Sequence, residues 1–165
     1  MNITLAAGGT GGHMVPAHAL AAELKARGHG IMLVTDDRGA KIPGLFEDVR
    51  THILPAGRLG GGPIGMIKAA LSVMKGRRNA KRLYKQYTPD AVVGFGGYPA
   101  FPALLAANAM GIPTILHEQN AVLGRVNRLL AGSARAIATA YAEIDRLKPG
   151  HARKVELVGN PVREE

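Results

Sequence analysis

Short apolar runs of four to six residues recur along the chain and alternate with longer segments of helical pattern. The runs are Asn2–Ala7 (NITLAA), Ile31–Thr35 (IMLVT), Thr51–Leu54 (THIL), Ala91–Gly94 (AVVG), Pro113–Leu116 (PTIL), Arg135–Thr139 and Lys154–Val158. Near-continuous apolar runs suit strands covered on both faces, and strand–helix alternation calls for crossover connections between parallel neighbours. The expectation is an α/β fold with a doubly wound, Rossmann-like parallel sheet. Ligands of such sheets bind outside the carboxyl ends of the strands.

The intervening segments carry helix signals. Pro16 opens the first predicted helix, where a missing N–H costs nothing, and Gly28 stops it. A Gly/Pro-rich stretch, Gly57–Pro63, leads into a long helix from Ile64 to Tyr87, with Gly65 and Gly76 as weak points. Helices over Ala100–Met110 and Arg125–Leu130 follow. The 165 residues make one domain of ordinary size.

Three predicted strands end in unusual material, all on one edge of the sheet. The first runs into Gly8–His13 (GGTGGH), the fourth into Gly94–Pro99 (GFGGYP), and the fifth into His117-Glu118-Gln119-Asn120. Glycine backbone turns sharply and brings N–H groups close to an anion, and a following helix N-terminus adds partial positive charge. The first loop is not the dinucleotide fingerprint, because Met14 stands where the third glycine belongs. It is not a Walker loop either, since no Lys-Ser/Thr follows. Each loop alone is also compatible with a plain strand-to-helix turn.

His13 closes the first loop, within reach of anything the glycines hold, and imidazole is the usual base for deprotonating a hydroxyl. A structural hydrogen-bonding role is the alternative for that histidine. His117 and Glu118 read either as a buried polar pair beneath the site or as substrate contacts. Asp36-Asp37 is adjacent rather than D-x-D, so a metal–diphosphate clamp there is unsupported, and no metal cluster is visible.

Composition narrows the chemistry. The chain has no Cys, which removes disulfides, zinc fingers, iron–sulfur clusters and thiol catalysis. No apolar run is long enough to span a bilayer, and the N-terminus reads as a strand rather than a signal peptide, so a soluble or peripheral cytoplasmic protein is expected. The formal net charge is +9, and it is concentrated: between Asp48 and Asp90 there are nine Lys and Arg and no acidic residue. Such a segment suits a nucleic acid, an anionic membrane surface or a phosphorylated substrate.

At about 100° per residue, Ile64, Ile67, Leu71 and Met74 share one side of the long helix with Arg78, Lys81, Arg82 and Lys85. The opposite side, with Ala69, Val73, Ala80, Leu83, Tyr84 and Tyr87, is continuously apolar and suits the sheet. A solvated face needs no apolar half. Apolar side chains beside Lys75, Arg78, Arg82 and Lys85 suit an anionic lipid interface, unless another element covers them. Aromatic residues are not interleaved with the charges, which disfavours nucleic acid.

With GGTGGH, GFGGYP, HEQNAVLGRVNRLL and GNPVR in this order, the whole chain resembles the N-terminal half of the MurG family of N-acetylglucosaminyltransferases. The resemblance implies the acceptor-side half of a GT-B glycosyltransferase. Its reaction joins N-acetylglucosamine from UDP-N-acetylglucosamine, with inversion, to undecaprenyl-pyrophosphoryl-muramyl-pentapeptide (lipid I) in peptidoglycan synthesis. By the same resemblance Thr10, Gly11, Gly12, Asn120 and Arg163 contact the donor. Gly94, Gly96, Gly97 and Tyr98 help hold the acceptor diphosphate, and His13 is the candidate base, with Glu118 as the competitor. Ile64, Ile67, Leu71, Met74, Lys75, Arg78, Arg82 and Lys85 form a membrane-association patch on the cytoplasmic face of the bacterial plasma membrane. The implied partners are the sugar nucleotide, lipid I, an anionic membrane and a C-terminal donor domain beyond Glu165, without which this chain alone is expected to be inactive. No tightly bound cofactor is implied, and divalent-cation stimulation is not readable from the residues. Two other readings remain: a nicotinamide-dependent Rossmann enzyme using Asp36 or Asp37 on the ribose, and a non-catalytic adaptor or split-enzyme subunit built on the basic segment.

Overall fold

A computed structural model of the protein describes residues 1–55 and 61–162. Arg163, expected at the donor, and most of the Gly57–Pro63 stretch lie outside the described residues. The strands are β1 (Asn2–Ala6), β2 (Gly30–Thr35), β3 (Arg50–Ile53), β4 (Ala91–Gly94), β5 (Thr114–Glu118), β6 (Ala136–Thr139) and β7 (Val155–Leu157). All are parallel, in the order β3-β2-β1-β4-β5-β6-β7. The helices are α1 (Gly11–Ala26), the single turn α2 (Asp37–Ala40), α3 (Gly62–Tyr87), α4 (Phe101–Ala109) and α5 (Arg125–Leu130). The doubly wound sheet expected from the apolar runs is present.

Side-chain alternation along each strand divides the core in two. Ile3, Leu5, Ala7, Leu33, Val93 and Phe95 pack with Met14, Ala17 and Ala21 of α1. The intervening residues Ala6, Met32, Val34, Val92, Leu116 and Ile137 pack against α3, α4 and α5 on the other face. With both faces buried, exposed polar chemistry is confined to the strand ends. The strand order reverses between β1 and β4, where successive crossovers leave to opposite sides and open a crevice. The two glycine loops begin at these two strands.

Two helices differ from expectation. The first begins at Gly11, not at Pro16, which lies inside it. A proline there forfeits the bond to the Gly12 carbonyl and crowds that residue, and Gly12 lacks the Cβ that would make the crowding worse. The second half of the glycine loop is therefore already helix, with its N–H groups aligned along the axis. The long helix is unbroken through both predicted weak points. Gly76 packs closely against the rest of the fold: an added Cβ would lie 2.9 Å from Pro102 and closer still to the Pro55 carbonyl.

The inner face of α3 also departs from the simple amphipathic picture. Ala80 and Tyr84 are fully buried, and the Tyr84 hydroxyl donates to the Ala103 carbonyl at 3.0 Å. Burial pushes that phenol well above its ordinary pKa. Ala69 and Val73, expected against the sheet, are only half-buried and line an open groove instead. On the outer face, Ile64, Ile67, Leu71 and Met74 are each more than 60% exposed, so no described element covers them. Among the described residues, none of the salt bridges engages a cation of α3. No described helix is long and apolar enough to cross a membrane. Replacing Gly76 by Ala is expected to destabilise the fold by about 1–3 kcal/mol through overpacking; chemical denaturation measures this, and an unchanged midpoint would contradict it.

Candidate functional site

The cleft lies at the carboxyl ends of β4 and β5, facing the start of α1. Its wall includes His13, Gly96, Gly97, Tyr98, Glu118 and Asn120, and its volume is about 250 Å³. Residues drawn from all three sequence motifs thus meet in one place.

His13 occupies the first turn of α1 and leans across the crevice onto the end of β4. Its Nδ1 is 2.7 Å from the Phe95 carbonyl and 3.2 Å from Gln119 Oε1. Both oxygens can only accept, so Nδ1 carries a proton, and in the neutral ring Nε2 is the nitrogen that keeps its lone pair. Nε2 faces the second glycine loop: a Cβ on Gly97 would stand 3.3 Å from it, and one on Gly96 would stand 3.4 Å from His13 Cε1. Both glycines have positive φ, at 88° and 80°. Side chains there would be strained and would press on the imidazole.

The polar relay continues behind His13. Gln119 Nε2 donates to His117 Nδ1 at 2.8 Å, and His117 Nε2 donates to the Gly159 carbonyl at 3.1 Å. Each donor meets an acceptor, so one set of tautomers satisfies the whole chain from Phe95 to Gly159. His117 is buried, and desolvation holds its pKa below the ordinary imidazole value, opposed by the Gly159 hydrogen bond and the Glu118 charge.

Glu118 is also buried, at 3% exposure, and its carboxylate is fully engaged. Oε1 accepts from the backbone N–H and the side-chain amide of Asn120, both at 3.2 Å. Oε2 accepts from the Gly124 N–H at 2.8 Å and from Asn127 Nδ2 at 2.9 Å. The carboxylate thus folds the loop after β5 around itself and fixes Asn120 at the cleft wall. His117 and Glu118 are both buried, but each is bonded to other partners rather than to the other, and Glu118 still borders the cleft.

The remaining expected residues sort by position. Thr10, Gly11 and Gly12 are exposed at the N-terminus of α1, where the first N–H groups have no intrahelical partner. Gly94 does not line the cleft: it is buried in β4, and Leu104 fills the space its side chain would take. Its glycine serves packing, and the loop proper starts after it. Asp36, the ribose reader of the dinucleotide alternative, accepts the Gly9 and Gly39 N–H groups at 3.0 and 2.9 Å and so braces the first loop. Met14 is buried in the core, so the third-glycine position is filled by packing. Among the described residues no group of three or more metal-ligating side chains converges.

Several cleft residues had no place in the sequence reading. Asn127 is 1% exposed, ties Glu118 to α5, and leaves its Oδ1 without a partner among the described residues. An Asn inside the helical segment RVNRLL was its only signal. Arg125 and Gly124 also reach the wall, and Gln119, quoted only as part of a motif, proves to be the link between the two histidines. Since His117 is neutral when buried, an unfolded chain protonates first as the pH falls. Stability is therefore expected to be fullest above about pH 6.5 and to decline below it. His117→Gln should flatten that decline in pH-dependent denaturation; an unaltered slope would contradict the assignment.

The glycosyltransferase family 28 N-terminal domain matches residues 3–139. The UDP-N-acetylglucosamine–N-acetylmuramyl-(pentapeptide) pyrophosphoryl-undecaprenol N-acetylglucosamine transferase of Zymomonas mobilis is 63% identical over 161 residues, covering 98% of this chain and 42% of that protein. The same-named protein of Erythrobacter litoralis is 64% identical, over 96% of this chain and 40% of its own length. The crystal structure of Acinetobacter baumannii MurG superposes with a TM-score of 0.78 at 32% identity, over 99% of this chain and 46% of that one. The chain thus spans about two-fifths of the length of the curated relatives it matches.

Proposed function

The chain belongs to glycosyltransferase family 28, whose N-terminal domain it carries, and from that premise we propose that it is the acceptor-side half of an inverting N-acetylglucosaminyltransferase of peptidoglycan synthesis. Its substrates on this reading are UDP-N-acetylglucosamine and the undecaprenyl-pyrophosphoryl-muramyl-pentapeptide named in its relatives. Most of the sugar-nucleotide pocket would come from a second, C-terminal domain, as in the GT-B arrangement.

One juxtaposition carries the proposal. An imidazole with a free Nε2 faces a positive-φ glycine loop across the crevice at the sheet's switch point, beside an uncapped helix N-terminus. The loop amides at Gly96 and Gly97 and the first turn of α1 are suited to the acceptor and donor phosphates, since unpaired N–H groups and the helix dipole both favour anions. Asn120, held by Glu118, would contact the sugar.

In the reaction, the muramyl hydroxyl forms a bond to the anomeric carbon as the bond from that carbon to UDP breaks. UDP leaves with the electron pair, and His13 Nε2 takes the hydroxyl proton. Nδ1–H, held by the Phe95 carbonyl and Gln119, keeps the ring in the tautomer this step requires. Glu118 fits a positioning role, because its carboxylate already accepts four hydrogen bonds.

The outer face of α3 would rest on anionic lipid at the cytoplasmic surface of the plasma membrane. Exposed Ile67 and Leu71 would enter the interface, with Arg78, Arg82 and Lys85 among the headgroups. Weakened co-sedimentation of Leu71→Glu with anionic vesicles would support this contact, and unchanged binding would exclude it. In a full-length protein carrying this segment, His13→Ala should lower kcat by about 10²–10⁴-fold with little change in donor KM. Turnover near the parent rate would remove His13 as the base.

A further inference from the structure

The inner face of α3 leaves an apolar groove that the fold does not fill. Met66, Ala70, Val73 and Met74 of α3 form one side, and Phe101, Val126 and Leu129 of α4 and α5 form the other; the groove holds about 450 Å³. Leu129 and Met66 are 71% and 60% exposed. An exposed apolar seam of this kind marks a binding or contact surface.

The groove is continuous with the polar cleft. Tyr98, Arg125 and Val126 line both, so the two share a wall at the second glycine loop. A ligand with its anionic group at Gly96–Gly97 and a hydrocarbon attached to that group would run directly into the groove. Arg125, exposed at the junction, matches the charge expected where the two parts meet. The volume falls in the range of sites that enclose small organic ligands, enough for a few five-carbon units.

We propose that this groove binds the first isoprenyl units of a polyprenyl diphosphate, those next to the diphosphate. The proposal rests on the acceptor reading above and deepens it. The chain would leave the bilayer beside the exposed face of α3 and pass between α3 and α5 before its diphosphate reaches the glycine loop. Recognition would then depend on hydrocarbon length as well as on the diphosphate. The groove meets the outer face at Met74, which belongs to both, whereas Ile67 and Leu71 do not line it.

Soluble probes test this without a membrane. Calorimetric titration of this chain would use inorganic pyrophosphate and dimethylallyl, geranyl and farnesyl diphosphates, in the parent and in Ala70→Glu and Leu71→Glu. Both substitutions fall on exposed positions of α3, where folding tolerates them. The expected result is affinity rising about tenfold or more from the dimethylallyl to the farnesyl compound. That gain should vanish in Ala70→Glu, persist in Leu71→Glu, and leave pyrophosphate binding equal in all three proteins. Pyrophosphate binding without a chain-length gain would overturn the groove and spare the acceptor reading. A gain lost in Leu71→Glu but kept in Ala70→Glu would overturn the groove in favour of the outer face. No diphosphate binding at all would overturn the acceptor reading and the groove with it.

Discussion

The hydrogen bond from His13 Nδ1 to the Phe95 carbonyl joins the two halves of the doubly wound sheet at the point where their topology parts. It crosses from the first turn of α1 to the end of β4, and it has consequences in both directions. Toward the core it anchors the helix start to the neighbouring strand. Toward solvent it commits the imidazole to one tautomer and turns the other nitrogen onto Gly97. The glycine pair Gly96–Gly97 is the counterpart of this bond, because any side chain there would occupy the space the ring needs. Behind the ring, Gln119 and His117 extend the same logic, each accepting or donating in the only sense its neighbour allows.

The same edge of the sheet sorts buried charge from usable chemistry. Glu118 is enclosed and fully engaged, and its four hydrogen bonds shape the loop that presents Asn120. A buried carboxylate without such partners would be costly, so the loop and the charge require each other. The cleft is thus polar by construction at its floor, while its outer margin turns apolar beyond Tyr98, Arg125 and Val126, which line both it and the groove. The long helix α3 carries that division outward. Its buried stripe of Gly76, Ala80 and Tyr84 holds it on α4, and its first half is left free on both sides.

Much of this was legible in the residues. Strands buried on both faces announce themselves as short apolar runs, and all seven fell within a residue or two of their observed places. The glycine motifs marked the cleft because glycine at strand ends serves little else so economically. The helix start at Gly11 was hidden because glycine and proline each signal a break, and only their pairing at positions 12 and 16 makes the turn tolerable. Gly76 and Gly94 were misread for a related reason: a glycine kept for close packing looks, in one dimension, like a glycine kept for flexibility or for a ligand. The role of Gln119 depends on His13, more than a hundred residues away, and no local pattern encodes that contact. The groove beside α3 escaped notice because periodicity assigns a face to a side of the helix without saying whether anything fills the space opposite.

Nitrogen-15 NMR of the His13 ring tests the central claim most directly. At mildly alkaline pH the account predicts the neutral tautomer with hydrogen on Nδ1 and an unprotonated Nε2, and a shift of the Nε2 resonance when inorganic pyrophosphate is added. A ring with hydrogen on Nε2, indifferent to pyrophosphate, would contradict it.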